Sequence, residues 1–202
     1  VKYMKKLLSK YRKNKLLMSL IIILTLTLIA GTLYLSILSS ENKELVTNSI
    51  TTFFTSFNTK LDTKSILFKT LSNNLLTISL VWLLGFSIIG IPLVLLILIF
   101  KSFTTSFTFV SIIYTYKYIG IIKALIYIIP SLLNLFMLFI LTYYSLSFSI
   151  MLFNYLFKKK DYNRSLIIKR YLKLLIISIL FMVVTAVIET YVIPTIFKFI
   201  TL

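Results

Sequence analysis

The segment from Asn73 to Leu98 is almost wholly apolar, yet Gly85 and the triplet Gly90-Ile91-Pro92 interrupt it. About 20 apolar residues cross the ~30 Å hydrocarbon core of a bilayer, so a run of this length reads as a membrane span with a break or hinge inside it. Backbone groups freed at such a break find no water in lipid. The break persists only where neighbouring helices satisfy those groups, so the segment demands other spanning helices around it.

The rest of the chain supplies them. Of 202 residues, 59% are hydrophobic, more than a single soluble core of this size would hold. The chain reads as an all-α, polytopic helical membrane bundle. Its formal charge of +17 does not point to nucleic acid, because the cations gather at the ends of apolar runs and form no basic stripe with spaced aromatics. They set orientation instead.

Apolar runs separated by charge predict spans at 16–38, 74–98, 103–119, 124–157 and 174–197, within one integral membrane domain, 1–202. Lys2, Lys5, Lys6, Lys10, Arg12, Lys13 and Lys15 precede the first run, which is too long for a signal peptide and has no small-x-small cleavage site; it reads as an uncleaved span. A second basic cluster, Lys158, Lys159, Lys160, Arg164, Lys169, Arg170 and Lys173, lies between the last two runs. Both clusters mark the cytoplasmic side, which puts the 39–72 loop outside, Lys101 at the inner face, and Lys117 and Lys123 near the outer one. A pair of half-helices around Lys101 would preserve the same sidedness.

In the outer loop Val46, Ile50, Phe53 and Phe57 fall at three- and four-residue steps, the spacing of one helix face. That face suits either a helix lying on membrane lipids or one packed on the bundle. Asp62, three residues before Ser65, is placed to cap a following helix.

Glu189 is the only carboxylate inside an expected span. Counted from Lys173 at about 1.5 Å per residue, it stands about 24 Å up its helix, in the outer half of the membrane. An acid at that depth faces a partner or a cavity. Lys117, Lys123, Asn73 and Asn74 are candidate partners, and a structural clamp and a proton or cation relay are the two roles. Asn73 and Asn74 suit a helix start or a polar contact inside the bundle. Asn134, four residues after Pro130, is placed to satisfy the carbonyl freed near Ile126. Trp82 sits part-way into its span and reads as a packing residue, and Gly85 and Gly90 allow close helix approach.

Taken in order, these residues resemble the stage II sporulation protein M family. The elements are Asn73-Asn74-Leu75, Val81-Trp82-Leu83-Leu84-Gly85, Gly90-Ile91-Pro92, the 101–108 segment with Phe103 and Phe107, Pro130 to Asn134, and Ile188-Glu189-Thr190-Tyr191 with Pro194. One departure stands out: relatives carry glycines around the third span, where this chain has Ser102 and Ser106. The resemblance implies a multi-pass cell-membrane component of the engulfment machinery of an endospore former, on the mother-cell side of the septum. It further implies partnership with stage II sporulation proteins D and P, which act on peptidoglycan outside the membrane.

The chain has no histidine, no cysteine and five acidic residues, so no catalytic residue, metal site or cofactor is expected. The expectation is a scaffold that recruits hydrolases, as a dimer or other homo-oligomer. The alternative is a transport component, a conduit or the permease-like partner of an ATPase, suggested by breaks at Pro92 and Pro130 and by Glu189.

Overall fold

The computed structural model describes residues 2–56, 63–158 and 164–200, with side chains described for 15–55, 64–157 and 168–197. Phe57 and Asp62 lie outside the described residues. The elements are α1 (Lys2–Ile37), α2 (Ser40–Ser56), α3 (Thr63–Leu84), α4 (Gly90–Lys158), α5 (Arg164–Val187), a π-helical turn (Ile188–Val192) and α6 (Ile193–Ile200). Among the described residues all regular structure is helical.

Among the described residues, four helices are long and apolar enough to cross a membrane. In α4 the qualifying stretch is 68 residues, or about 100 Å at ~1.5 Å per residue, three times the thickness of the hydrocarbon. It does not run straight. Lys117 has φ 51° and ψ −123°, outside the helical region, and the chain doubles back there into two arms, 90–116 and 118–158. The fold-back is tight: a Cβ on Gly120 would lie 2.7 Å from the Ile112 carbonyl oxygen. Each arm is long enough for its own crossing.

The expected 74–98 span is corrected. Helix α3 ends at Leu84, and residues 85–89 form the reversal into α4, so the glycine-proline motif turns the chain between two crossings instead of hinging one. Successive short bonds close the turn, from Phe86 N to Leu83 O, Ser87 N to Leu84 O and Gly90 N to Ser87 O, at 3.0–3.2 Å. A Cβ on Gly90 would meet the Leu84 carbonyl oxygen at 1.9 Å, which only glycine avoids. Pro92 lies in the first turn of α4, where its missing N–H costs no helical bond. The turn escapes detection by hydropathy because Phe86, Ile88 and Ile89 are themselves apolar. As a result the expected 103–119 span begins at Gly90, and Lys101 moves from the inner face to about 16 Å along its arm, near mid-membrane.

Helix α1 runs parallel to the first arm of α4. Thr27 and Ser102 hydroxyls lie 2.6 Å apart, and Tyr34 packs edge-on against Phe103 and Phe107 at 5.4 and 5.8 Å. A Cβ on Gly31 would fall 2.1 Å from Ser106 Oγ and 2.5 Å from the Phe103 carbonyl oxygen. Serines stand on the α4 side of this approach, and the glycine that permits it is on α1.

Two apolar clusters hold the bundle. The larger contains Leu20, Ile78, Val81, Val94, Leu98, Leu138, Leu141 and Met182. The smaller, at the outer end, joins Phe54 of α2, Ile112 and Ala124 flanking the Lys117 fold-back, and Ile193 and Phe197 of α6. Helix α2 is thus packed on the bundle through Phe54, with Ile50 half-buried beside it. Val46 is half-buried, while Phe53 is 41% exposed and meets Phe54 and Tyr127 edge-on. Ser39 starts the helix, its hydroxyl accepting from Asn42 N at 3.4 Å.

Candidate functional site

Two helices carry the same polar stripe through apolar surroundings. Thr70, Asn73, Asn74 and Thr77 on α3 repeat the spacing of Lys101, Thr104, Thr105 and Thr108 on α4, each set lying on one helix face. The antiparallel packing of α3 on the first arm brings the stripes together. They line a half-open cavity of about 240 Å³, whose wall is completed by Tyr127, Ser131 and Asn134 of the second arm and by Glu189 at the π-turn.

Glu189 reaches this wall because the helix changes register there. Pro194 cannot donate to, and its ring clashes with, the carbonyl four residues back, that of Thr190. Over Ile188–Val192 the backbone adopts the wider π pattern, with Ile193 N donating to Ile188 O. Thr190 is buried, its hydroxyl without a partner among the described residues, whereas Tyr191 is 48% exposed and points away from the core.

Lys101 is the lysine that lines the same cavity as Glu189, and Lys117 and Lys123 are elsewhere. Lys117 forms the fold-back, and Lys123 stacks its ammonium 3.6 Å from the Tyr116 ring centroid and 5.3 Å from that of Phe54. One ionised side chain at membrane depth costs about 2.5–3.5 kcal/mol on insertion scales, so two opposite charges in one polar chamber offset each other.

The amides serve different ends. Asn134 accepts a hydrogen bond from the Thr185 hydroxyl, tying the second arm of α4 to α5 instead of meeting the carbonyl near Ile126. Pro130 is fully buried one turn away. Asn73 is exposed and its carbonyl takes the Thr77 hydroxyl at 2.9 Å. Asn74 lines the cavity with its Nδ2 buried and without an acceptor among the described residues, an omission that costs about 1–3 kcal/mol until something fills it.

Next to the 85–89 reversal, hydroxyls from two helices satisfy the last carbonyls of α3. Ser145 donates to Val81 O at 2.9 Å, Tyr171 to Trp82 O at 2.8 Å, and Ser149 to Gly85 O at 2.7 Å. Gly85 makes room for them, since a Cβ there would sit 2.1 Å from the Tyr171 hydroxyl. Trp82, Phe86, Phe148 and Tyr171 stack around the joint.

Sequence reasoning reached Glu189, Asn73, Asn74 and Asn134 but missed Lys101 and the threonines. The signal was present in the two matched stripes. Chemically the chamber can bind and orient a polar species; among the described residues no cluster of three or more His, Cys, Asp or Glu could hold a metal.

No curated protein and no solved structure matches the chain. The model for stage II sporulation protein M matches residues 19–194, from the first crossing through the glycine-proline turn to the Glu189 π-turn and Pro194. The chain belongs to the stage II sporulation protein M family.

Proposed function

We propose that this sporulation-family membrane protein is a non-enzymatic scaffold of the engulfment complex. It recruits the peptidoglycan hydrolases, stage II sporulation proteins D and P, to the mother-cell side of the septal membrane, and works as a dimer or other homo-oligomer. The observation that carries the reading is the outer platform. Helix α2, the fold-back around Lys117 and α6 pack together through Phe54, Ile112 and Phe197, and the lysine distribution assigns this end of the bundle to the extracytoplasmic side. Leu45, 60% exposed, stands on the outward side of α2. With no histidine and no cysteine, the chain lacks the usual groups of wall hydrolysis and lends position to partners that have them.

Tagged protein purified from sporulating cells in mild detergent should retain the hydrolases, and Leu45→Lys should lose them while the bundle stays folded. Recovery of neither hydrolase with the wild-type chain would end this reading.

The polar chamber favours a second reading, a transport component. Charged and amide groups enclosed between antiparallel crossings are the usual surroundings of a carried solute. Proteoliposomes showing solute flux that Glu189→Gln abolishes would support transport, and tight liposomes would exclude it.

A further inference from the structure

The chamber brings one basic and one acidic side chain, Lys101 and Glu189, to a single space of about 240 Å³. We propose that it is a binding site for a small zwitterion, a molecule joining an anionic oxyacid group to an ammonium group by a few bonds. An α-amino acid and the headgroup of an ethanolamine phospholipid share that chemistry.

Charge balance selects the ligand class. A singly charged ligand pairs with one wall and leaves the other charge unmatched at membrane depth. A neutral polar molecule answers neither. A zwitterion sets its oxyacid against the Lys101 ammonium and its own ammonium against the Glu189 carboxylate, and the chamber stays neutral throughout.

The walls agree. A charge pair acting only as a clamp is best packed in contact by apolar side chains, yet this one borders an open space lined by Asn74, Asn134, Thr105 and Ser131. Asn74 Nδ2 is buried with no acceptor among the described residues, and an oxyacid oxygen would supply one. The volume lies below the ~300–1,000 Å³ of pockets for drug-sized ligands, which suits a ligand or headgroup of few atoms. The site borders the outer platform at Tyr127 but uses none of Phe54, Ile112 and Phe197, so this inference holds whether or not the platform binds hydrolases.

The test uses the full chain purified in detergent, with glycine as the soluble probe, acetate and ethylamine as its half-charged controls, and nanodiscs of phosphatidylethanolamine against phosphatidylglycerol as the lipid arm. Saturable binding of glycine, at least tenfold tighter than either control, identifies a soluble zwitterion. Retention of phosphatidylethanolamine over phosphatidylglycerol by at least tenfold, seen by native mass spectrometry, identifies a headgroup. In either case Lys101→Met and Glu189→Gln should each weaken binding at least tenfold. Asn74→Leu keeps both charges and should show the same loss, which covers the event that a charge variant does not fold. Binding of neither probe, or binding unchanged in the variants that fold, overturns the proposal.

Discussion

Tyr171 and Trp82 hold each other by reciprocal hydrogen bonds, Tyr171 Oη donating to the Trp82 carbonyl at 2.8 Å and Trp82 Nε1 donating to the Tyr171 carbonyl at 3.3 Å. Their rings stack at a centroid distance of 5.5 Å and an interplanar angle of 16°. The pair locks α5 onto the end of α3, just before the chain reverses. Tyr171→Phe keeps the stack but removes one of the two donors to the Trp82 carbonyl, leaving Gly85 N at 3.2 Å as the other. It should cost about 1–2 kcal/mol, read as a lower Tm in detergent. Trp82→Phe leaves the Tyr171 hydroxyl in place and should cost a similar amount through lost packing and the lost indole bond.

The reversal at 85–89 makes a prediction that the hinge reading does not share. The natural chain has no cysteine, so single-cysteine variants report sidedness without background. Ile89, 78% exposed in the turn, should react as Ile89→Cys with a membrane-impermeant maleimide from the cytoplasmic side. Phe100, 67% exposed on the first arm of α4, should stay unreactive from both sides as Phe100→Cys, because it faces lipid. A hinge inside a 74–98 span gives the opposite pattern.

The two residue pairs just used show what sequence could and could not supply. The number of crossings follows from apolar length, since that is a property of the chain against a bilayer. The position of a turn is not such a property when its residues are Phe86, Ile88 and Ile89, apolar like the helices they join. What marks the turn is the space around Gly90, where a Cβ would strike the Leu84 carbonyl oxygen at 1.9 Å, and that distance exists only once the chain is folded. Lys101 was misplaced by the same error, and with it the partner of Glu189. The inward residue of α2 is likewise Phe54 and not Phe53, because the fold-back and α6 decide which flank of the helix is covered.

Beside the Lys117 fold-back, the Lys123 ammonium stands 3.6 Å over the Tyr116 ring and 5.3 Å over that of Phe54, and the residue is 9% exposed. Lys123→Met preserves the stem and removes the cation, at a cost of about 1–2 kcal/mol for a desolvated cation–π contact. The loss should loosen α2 locally, since Phe54 is its main anchor. Faster amide exchange over residues 46–55 with little change in α3 is the expected record, and uniform exchange across the bundle would contradict it.

Close approach of α1 to α4 rests on Gly31. The nearest atom to an added Cβ is the Ser106 hydroxyl, which can swing aside, but the Phe103 carbonyl oxygen at 2.5 Å is backbone and cannot. Gly31→Leu should therefore part the two helices and break the Thr27–Ser102 contact, lowering Tm by more than Gly31→Ala. Ser106→Gly relieves only the mobile neighbour, so it should rescue Gly31→Ala in part and Gly31→Leu hardly at all.

The coupling between Lys101 and Glu189 is separable from the cost of each charge alone. Lys101→Met leaves a carboxylate in the membrane facing no cation, and Glu189→Gln leaves an ammonium facing no anion. Each should cost about 2 kcal/mol or more, since a lone charge keeps its desolvation penalty and loses its compensation. Removing both charges together removes both penalties. Lys101→Met with Glu189→Gln should then be more stable than either single variant, with a coupling of about 1–3 kcal/mol between the sites. Thermal unfolding of the four proteins in one detergent measures that coupling directly. If the losses simply add, the two charges do not compensate each other across the chamber, and each must be balanced by its own polar wall.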